Sequence, residues 1–212
     1  MWLDGRTVDT DPLQAMQTRP LVTTDRQMEG GMMKRIIVAV SVFVLASCSY
    51  IPQRYSVSAD NTKALLKLRA GHVNVGPFSK TADFDNSCRA VAGVVEEPDS
   101  AGFEGYIQKA LVEELKQAGM FDDQAPTITL SGVVEKLSLT AQRSVYISRW
   151  DIGVRLKSSN GNSVYITQRY EFNAGPQFLP DCQIIADQYM VAVQKTLGKL
   201  IDAPEFQSLV TP

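Results

Sequence analysis

The amino-acid sequence predicts an α+β fold, in which two helices pack on one face of an antiparallel or mixed sheet in the order β-α-β-β-β-α. Two stretches, Phe103–Ala118 and Asp181–Ile201, carry apolar residues at spacings of three and four, the period of an amphipathic helix. Between them, Thr127–Phe172 contains three alternating segments, and Asn160-Gly161 is a hairpin signal. Strands that follow one another between helices indicate helices layered on a sheet.

The first strand is predicted at Ala64–Phe78, where apolar residues alternate at Leu66, Leu68, Val73 and Val75. Gly71 predicts a bend or bulge in this strand, and Pro77 is expected to end it. A short apolar piece at Val91–Val95 predicts a small strand in the loop that follows.

The remaining elements follow from caps and alternation. The first helix is expected to begin after Asp99 or Ser100 and to end at Gly119, which suits the left-handed residue after a helix. The three strands are predicted at residues 127–141, 144–157 and 163–172, with a bulge near Glu135-Lys136. Asp181 is the predicted N-cap of the last helix, and residues 204–210 form a tail that adds one turn.

The segment before the predicted domain is typical of an export signal. Lys34 and Arg35 form a short basic start, and residues 36–45 form an apolar run. A membrane-spanning helix needs about 20 apolar residues, so this run is too short to cross a bilayer. Because an export signal acts at the amino terminus, we expect translation to start at Met32 or Met33. Residues 1–31 are then either a gene-model extension or a disordered leader.

The end of this segment, Leu45-Ala46-Ser47-Cys48, resembles the bacterial lipobox. In lipobox proteins the cysteine is diacylated on sulfur, becomes the first residue after cleavage, and is acylated again on its amino group. The resemblance implies a lipoprotein signal peptide at residues 32–47 and fatty acyl chains, such as palmitate, on Cys48. Two or three such chains are sufficient for stable membrane anchoring.

The lipobox resemblance also implies a location. Ser49 stands where an Asp would retain an enterobacterial lipoprotein in the inner membrane, so we expect an outer-membrane protein that faces the periplasm, with the inner membrane as the alternative. Residues 48–62 contain Pro52 and no apolar period, and are predicted to be a flexible lipidated tether. Residues 63–212 are predicted to form a single periplasmic domain.

Two cysteines remain once Cys48 is acylated. Cys88 and Cys182 would be an even pair in an oxidising compartment, which favours a disulfide between them. The alternative is two buried free thiols, whereas no further cysteine or histidine at ligand spacing supports a metal site.

Charge and motifs exclude several function classes. The chain has a net charge of −2 and no basic stripe, which argues against a nucleic-acid partner. Its single histidine, His72, accompanies no nucleophile elbow, zinc-helix or P-loop spacing, and we interpret it as structural or on the surface. The carboxylate pairs are interpreted as solvated charges: Glu96-Glu97, Glu113-Glu114 and Asp122-Asp123. We therefore expect neither an enzyme nor a cofactor or metal; a periplasmic hydrolase is the least favoured alternative.

The run Phe103–Gly119 that leads into Thr127–Gly132, together with the lipobox, is similar to small envelope lipoproteins. These include the auxiliary lipoproteins of ABC-type lipid transporters, the lipopolysaccharide-assembly lipoprotein, and an enterobacterial lipoprotein family of the same layout. The similarity implies a non-catalytic accessory or binding role in envelope transport or assembly, with an envelope protein as partner.

Aromatic residues around the three strands allow a second hypothesis. They could line a groove for an acyl chain or a partner's segment, or they could be core and cross-strand pairs, which is the preferred interpretation. The candidates for this binding surface are Tyr146, Trp150, Tyr165, Tyr170 and Phe172. A third hypothesis is strand addition by a partner at the sheet edge. The sequence fixes neither the partner nor the oligomeric state.

Overall fold

The computed structural model describes residues 49–68, 70, 72–81, 86–88, 93–98, 101–141, 147–175 and 181–212. The predicted signal peptide and Cys48 lie outside these residues. The strands are β1 (Ser49–Tyr50), β2 (Val73–Lys80), β3 (Ser87–Cys88), β4 (Gly93–Val95), β5 (Ile128–Thr140), β6 (Ile147–Ser158) and β7 (Ser163–Asn173). The helices are α1 (Ala59–Leu65), α2 (Gly102–Gln117), α3 (Cys182–Ile201) and α4 (Phe206–Val210).

The main sheet has the order β2-β5-β6-β7, with β2 parallel to β5 and the other pairs antiparallel. A smaller sheet has the order β1-β4-β3 and is also mixed. Helices α2 and α3 cover one face of the main sheet: the buried ring of Trp150 in β6 packs near Phe103 of α2 and Tyr189 of α3, at centroid distances of 6.3 and 5.1 Å. The predicted α+β fold with two helices on one face of a mixed sheet is confirmed.

Caps account for the start of α3 and the end of α2, whereas α2 begins after Ala101 without a side-chain cap. The carboxylate of Asp181 accepts hydrogen bonds from the backbone N–H groups of Gln183 and Ile184, so its predicted role as the N-cap of α3 is confirmed. Gly119 has φ of 69° after α2, and Met120 donates its N–H to the carbonyl of Leu115, which closes the helix as predicted. The described part of the chain contains no helix long and apolar enough to cross a membrane.

The bulge predicted near Glu135-Lys136 is confirmed, because the register of β5 against β6 shifts between Val134 and Lys136. The Asn160-Gly161 turn joins β6 to β7, with Gly161 at a φ of 93°. Both features keep the residues before and after them on the correct face of the sheet.

The prediction for the first strand is wrong in two places. Residues 64 and 65 end the short helix α1 rather than beginning a strand, and Leu66, whose alternation with Leu68 suggested a strand, is exposed. Pro77 does not end β2, which continues to Lys80; instead the register against β5 shifts between Val75 and Phe78. A proline fits such an irregularity because it has no backbone N–H, and the interrupted pairing there requires none.

The prediction of a flexible tether at residues 48–62 is also corrected for the part that the structure describes. We call Ser49–Thr62 the N-terminal segment. It begins with β1, which pairs with β4, and it ends in the first turn of α1, whose N-cap is Ser58. Polar contacts between these two elements and the helices, described below, hold it on the domain.

Gly132 in β5 provides a test of core packing. A Cβ atom placed on Gly132 would lie 2.4 Å from the ring of Phe78, which is almost wholly buried. We expect Gly132→Ala to lower the free energy of unfolding by about 1–3 kcal/mol, because the ring has to shift within a packed core. Urea denaturation measures the change. Gly76→Ala is the control, since a Cβ on that glycine of β2 makes only ordinary contacts at 3.5 Å; equal stability of Gly132→Ala and the parent would contradict the packing.

Candidate functional site

A buried carboxylate holds the N-terminal segment on the domain. Glu114 lies in α2 and its side chain is completely buried. Its Oε1 atom accepts hydrogen bonds from the Tyr55 hydroxyl, from the backbone N–H of Ser58 at 2.9 Å and from Nδ2 of Asn61 at 3.1 Å. All three donors belong to the N-terminal segment, so one side chain of α2 fixes the path of that segment.

The other carboxylate oxygen of Glu114, Oε2, is buried and accepts no hydrogen bond within the described part of the chain. Burial first, and then the hydrogen bond to Glu114, raise the pKa of Tyr55 far above its ordinary value. The Tyr55 hydroxyl therefore stays protonated and donates to Glu114 at any physiological pH.

Helix α3 completes the attachment of the N-terminal segment. Nδ2 of Asn61 also donates to the carbonyl of Gln194 at 3.1 Å, and Nε2 of Gln194 donates to the carbonyl of Ser56 at 2.7 Å. Gln183, in the first turn of α3, donates to the carbonyl of Ile51 at 3.2 Å. The segment is thus bonded to both long helices.

A groove of about 510 Å³ lies between the N-terminal segment and α2. Its lining is mainly apolar and includes Ile51, Pro52, Tyr55, Pro98 and Tyr106. The Tyr106 hydroxyl donates to the carbonyl of Gln53 at 2.9 Å, and burial raises the pKa of this hydroxyl above its ordinary value. The groove is open to solvent on one side, and its lining is more apolar than the linings of two depressions beside Lys199.

The opposite face of the main sheet carries charge. Asp151 in β6 is almost buried, and its two oxygens accept hydrogen bonds from Arg149 at 2.7 Å and Arg169 at 3.1 Å. Nearby, Arg155 forms a two-bond ion pair with Glu135, which lowers the pKa of that carboxyl. These ion pairs join three arginines to two carboxylates, so this face presents a polar, charged surface.

The four candidate aromatic residues that the structure describes do not share one exposed surface. Trp150 is completely buried and its indole N–H donates to the carbonyl of Ile185, so it belongs to the core and its assignment to a binding surface is wrong. Tyr170 and Phe172 stack on the helix side of β7, whereas Tyr165 lies on the other side against the guanidinium of Arg155. Tyr146 lies outside the described residues.

Side chains of the domain occupy part of the sheet edge at which a partner strand could be added. β7 is an edge strand of the main sheet, but its Thr167 carbonyl accepts a hydrogen bond from Nζ of Lys199 at 2.7 Å, and its Arg169 carbonyl accepts one from Gln168 at 2.9 Å. Side chains that occupy backbone acceptors are a known protection of sheet edges. These contacts disfavour strand addition along the middle of β7.

The disulfide prediction is confirmed. Cys88 of β3 and Cys182 of α3 are bonded and buried, so the bridge attaches the small sheet to the start of α3. His72 is mostly exposed, and its Nδ1 lies 3.0 Å from Oδ2 of Asp122. The backbone N–H groups of Ala125 and Gln124 lower the pKa of Asp122 first, and His72 adds a smaller effect in the same direction.

Sequence reasoning missed Glu114, which was interpreted as a solvated charge. One signal was present: Glu114 follows Ala110 and Leu111 at spacings of four and three, so it borders the apolar stripe of the helix. Its donors lie more than 50 positions earlier in the chain, beyond any local pattern.

No protein-family model and no curated protein sequence matches the chain. A solved structure of a Xanthomonas campestris protein from family DUF330 aligns with a TM-score of 0.47 and 11% identity, covering 76% of this chain and 97% of its own. A structure described as an uncharacterized protein aligns with a TM-score of 0.41 and 10% identity, with coverages of 73% and 97%. A PelC dodecamer from Paraburkholderia phytofirmans aligns with a TM-score of 0.30 and 16% identity, with coverages of 72% and 95%.

Proposed function

We propose that this chain is a lipid-anchored periplasmic protein of the bacterial envelope, acylated on Cys48, with a non-catalytic accessory or binding role in envelope transport or assembly. The outer membrane is the proposed site of anchoring, because Ser49 follows the cysteine. An envelope protein is the proposed partner.

The observation that carries the proposal is the use of the three cysteines. The chain contains only Cys48, Cys88 and Cys182, and the last two form a disulfide. Structural disulfides persist in oxidising compartments and are rare in the cytosol, so the bridge supports export. The bridge leaves Cys48 free for acylation, at the end of a sequence that resembles a lipoprotein signal.

The anchor is tested by Cys48→Ala in cells supplied with radiolabelled palmitate. We expect the parent protein to carry label and to sediment with the outer membrane. The variant should lose all label, because the acylated sulfur is absent, and it should leave the outer membrane, because no acyl chain holds it there. Membrane fractionation followed by gel analysis measures both effects.

Ser47→Ala is the matched control, since it alters the adjacent residue and keeps the acylated sulfur. It should be labelled and membrane-bound like the parent. Outer-membrane retention of Cys48→Ala, or an unlabelled parent, would contradict the proposal.

A second candidate function, an acyl-chain carrier, is favoured by the groove beside the N-terminal segment. Its lining by Ile51, Pro52, Tyr55, Pro98 and Tyr106 suits one hydrocarbon chain. Native mass spectrometry of the extracted protein separates the two candidates. A co-purified lipid that is lost in Tyr106→Asp supports the carrier, whereas a stoichiometric envelope protein supports the accessory role.

A further inference from the structure

Ser49 fixes the distance between the proposed anchor and the folded domain. Consecutive Cα atoms lie about 3.8 Å apart, so an acylated residue 48 is one residue step from Ser49. Ser49 is paired with Val94 across β1 and β4, and the carbonyl of Ile51 is bonded to Gln183. Because the N-terminal segment is folded onto the domain, no long flexible linker separates this end of the domain from the proposed acyl chains.

Exposed aliphatic side chains gather at the same end. Val94, the register partner of Ser49, is 44% exposed, and Ile51, two residues after Ser49, is 54% exposed. Ile184, 37% exposed, lies in the first turn of α3, which the disulfide at Cys182 ties to the small sheet.

The start of β6 adds a fourth side chain at this end. Ile147 is 49% exposed and pairs with Asn173 at the end of β7. The adjacent carbonyl of Ala174 accepts the N–H of Asp181, which places the end of β7 beside the start of α3. Ile147 shares the side of β6 that carries Arg149 and Asp151, opposite the helices, so it lies at this end but on the other side of the sheet. We call Ile51, Val94 and Ile184 the proximal face.

The other two exposed large hydrophobic side chains of the described residues lie elsewhere. Leu66 follows α1, and α1 is bonded to Gln194, about 18 Å along α3 from Cys182 at 1.5 Å per residue. Tyr165 is covered on one side by the guanidinium of Arg155. Exposed aliphatic surface is therefore concentrated where the proposed lipid anchor attaches.

We infer that the proximal face rests on the lipid bilayer, with its three aliphatic side chains at the boundary between headgroups and acyl chains. The inference rests on the proposed acylation of Cys48. Apolar side chains on a membrane-bound surface enter this boundary to a depth of about 5–10 Å. The exposed carboxylates of Glu96 and Asp181 lie close to the proximal face and stay in the hydrated headgroup layer. The contact is apolar and therefore resists salt.

The test uses acylated protein in vesicles of phosphatidylethanolamine and phosphatidylglycerol whose acyl chains carry bromine, which quenches tryptophan on contact. Trp150 is the only tryptophan after Cys48 and is buried, so the parent supplies a constant background. Val94→Trp places a reporter on the proximal face, and Leu66→Trp places one at the distant exposed site. We expect bromine to remove about half of the added emission at 94 and almost none at 66, at low and high salt.

Ile184→Trp should repeat the result of Val94→Trp, which guards against a local defect in β4. Equal quenching at 94 and 66, or none at either, would overturn the inference. Protection of the tryptophan at 94 from aqueous iodide without quenching by bromine would also overturn it, because a second copy or another protein would then cover the face. The intact mass of each protein reports acylation of Cys48, so a missing acyl chain identifies failure of the proposed anchor instead.

Discussion

Joint replacement of Cys88 and Cys182 by alanine is expected to lower the free energy of unfolding by about 4–5 kcal/mol. The two cysteines are 94 positions apart, so their bridge removes much of the freedom of the unfolded chain. This loss is a large fraction of the total of about 5–15 kcal/mol that is usual for a domain. The small sheet, which is bonded to α3 through this bridge, should loosen first.

Urea denaturation and thermal unfolding of the purified protein measure this effect. A melting temperature about 10–20 °C lower is expected for a domain of this size. Reductant should lower the stability of the parent similarly, and Cys48→Ala, which removes a cysteine outside the bridge, should leave it unchanged. Two thiols in the parent that react with an alkylating agent before reduction would contradict the bridge.

Glu114→Ala is expected to lower the free energy of unfolding by about 2–4 kcal/mol. The change leaves the partly buried Tyr55 hydroxyl and the buried Asn61 Nδ2 without their shared acceptor. The N-terminal segment should then detach more often, so trypsin should cut after Arg54 and Lys63, both exposed, at lower concentrations than in the parent.

Glu113→Ala is the matched control for Glu114→Ala. Glu113 is the neighbouring residue in α2, half exposed and paired with Lys116 at the surface, so its replacement should change stability by less than about 0.5 kcal/mol. Glu114→Gln keeps the acceptor oxygen and should fall between the two. A trypsin pattern of Glu114→Ala identical to that of Glu113→Ala would show that Glu114 does not hold the segment.

The parts of the fold that local pattern decides were predictable. Alternation in β6 placed Trp150 and its neighbours on one face, and the structure buries that face under α2 and α3. The cap at Asp181 and the turn at Gly119 also depend on neighbouring residues alone. For the same reason the core interpretation of Trp150 was preferable to its use in a binding surface.

The parts that failed depend on distant contacts. Helix α1 is only seven residues long, too short to show a helical period, and it is stabilised by Asn61 bonding to Glu114 and to Gln194. The N-terminal segment looked like a tether because it is polar, yet its polar groups meet partners that lie far along the chain. The groove beside the N-terminal segment could not be predicted either, because its lining residues come from distant parts of the chain.

The placement of α3 has a consequence for the order in which the protein can assemble. Synthesis delivers the N-terminal segment first, but two of its hydrogen-bond partners, Gln183 and Gln194, arrive only with α3, as does the cysteine that attaches the small sheet to that helix. The last turn, α4, also contacts the main sheet, because the buried hydroxyl of Ser158 donates to the carbonyl of Leu209. A nascent chain that stops before α3 can therefore hold its N-terminal segment through Glu114 and β4, and it gains the bonds to Gln183 and Gln194 when α3 is complete.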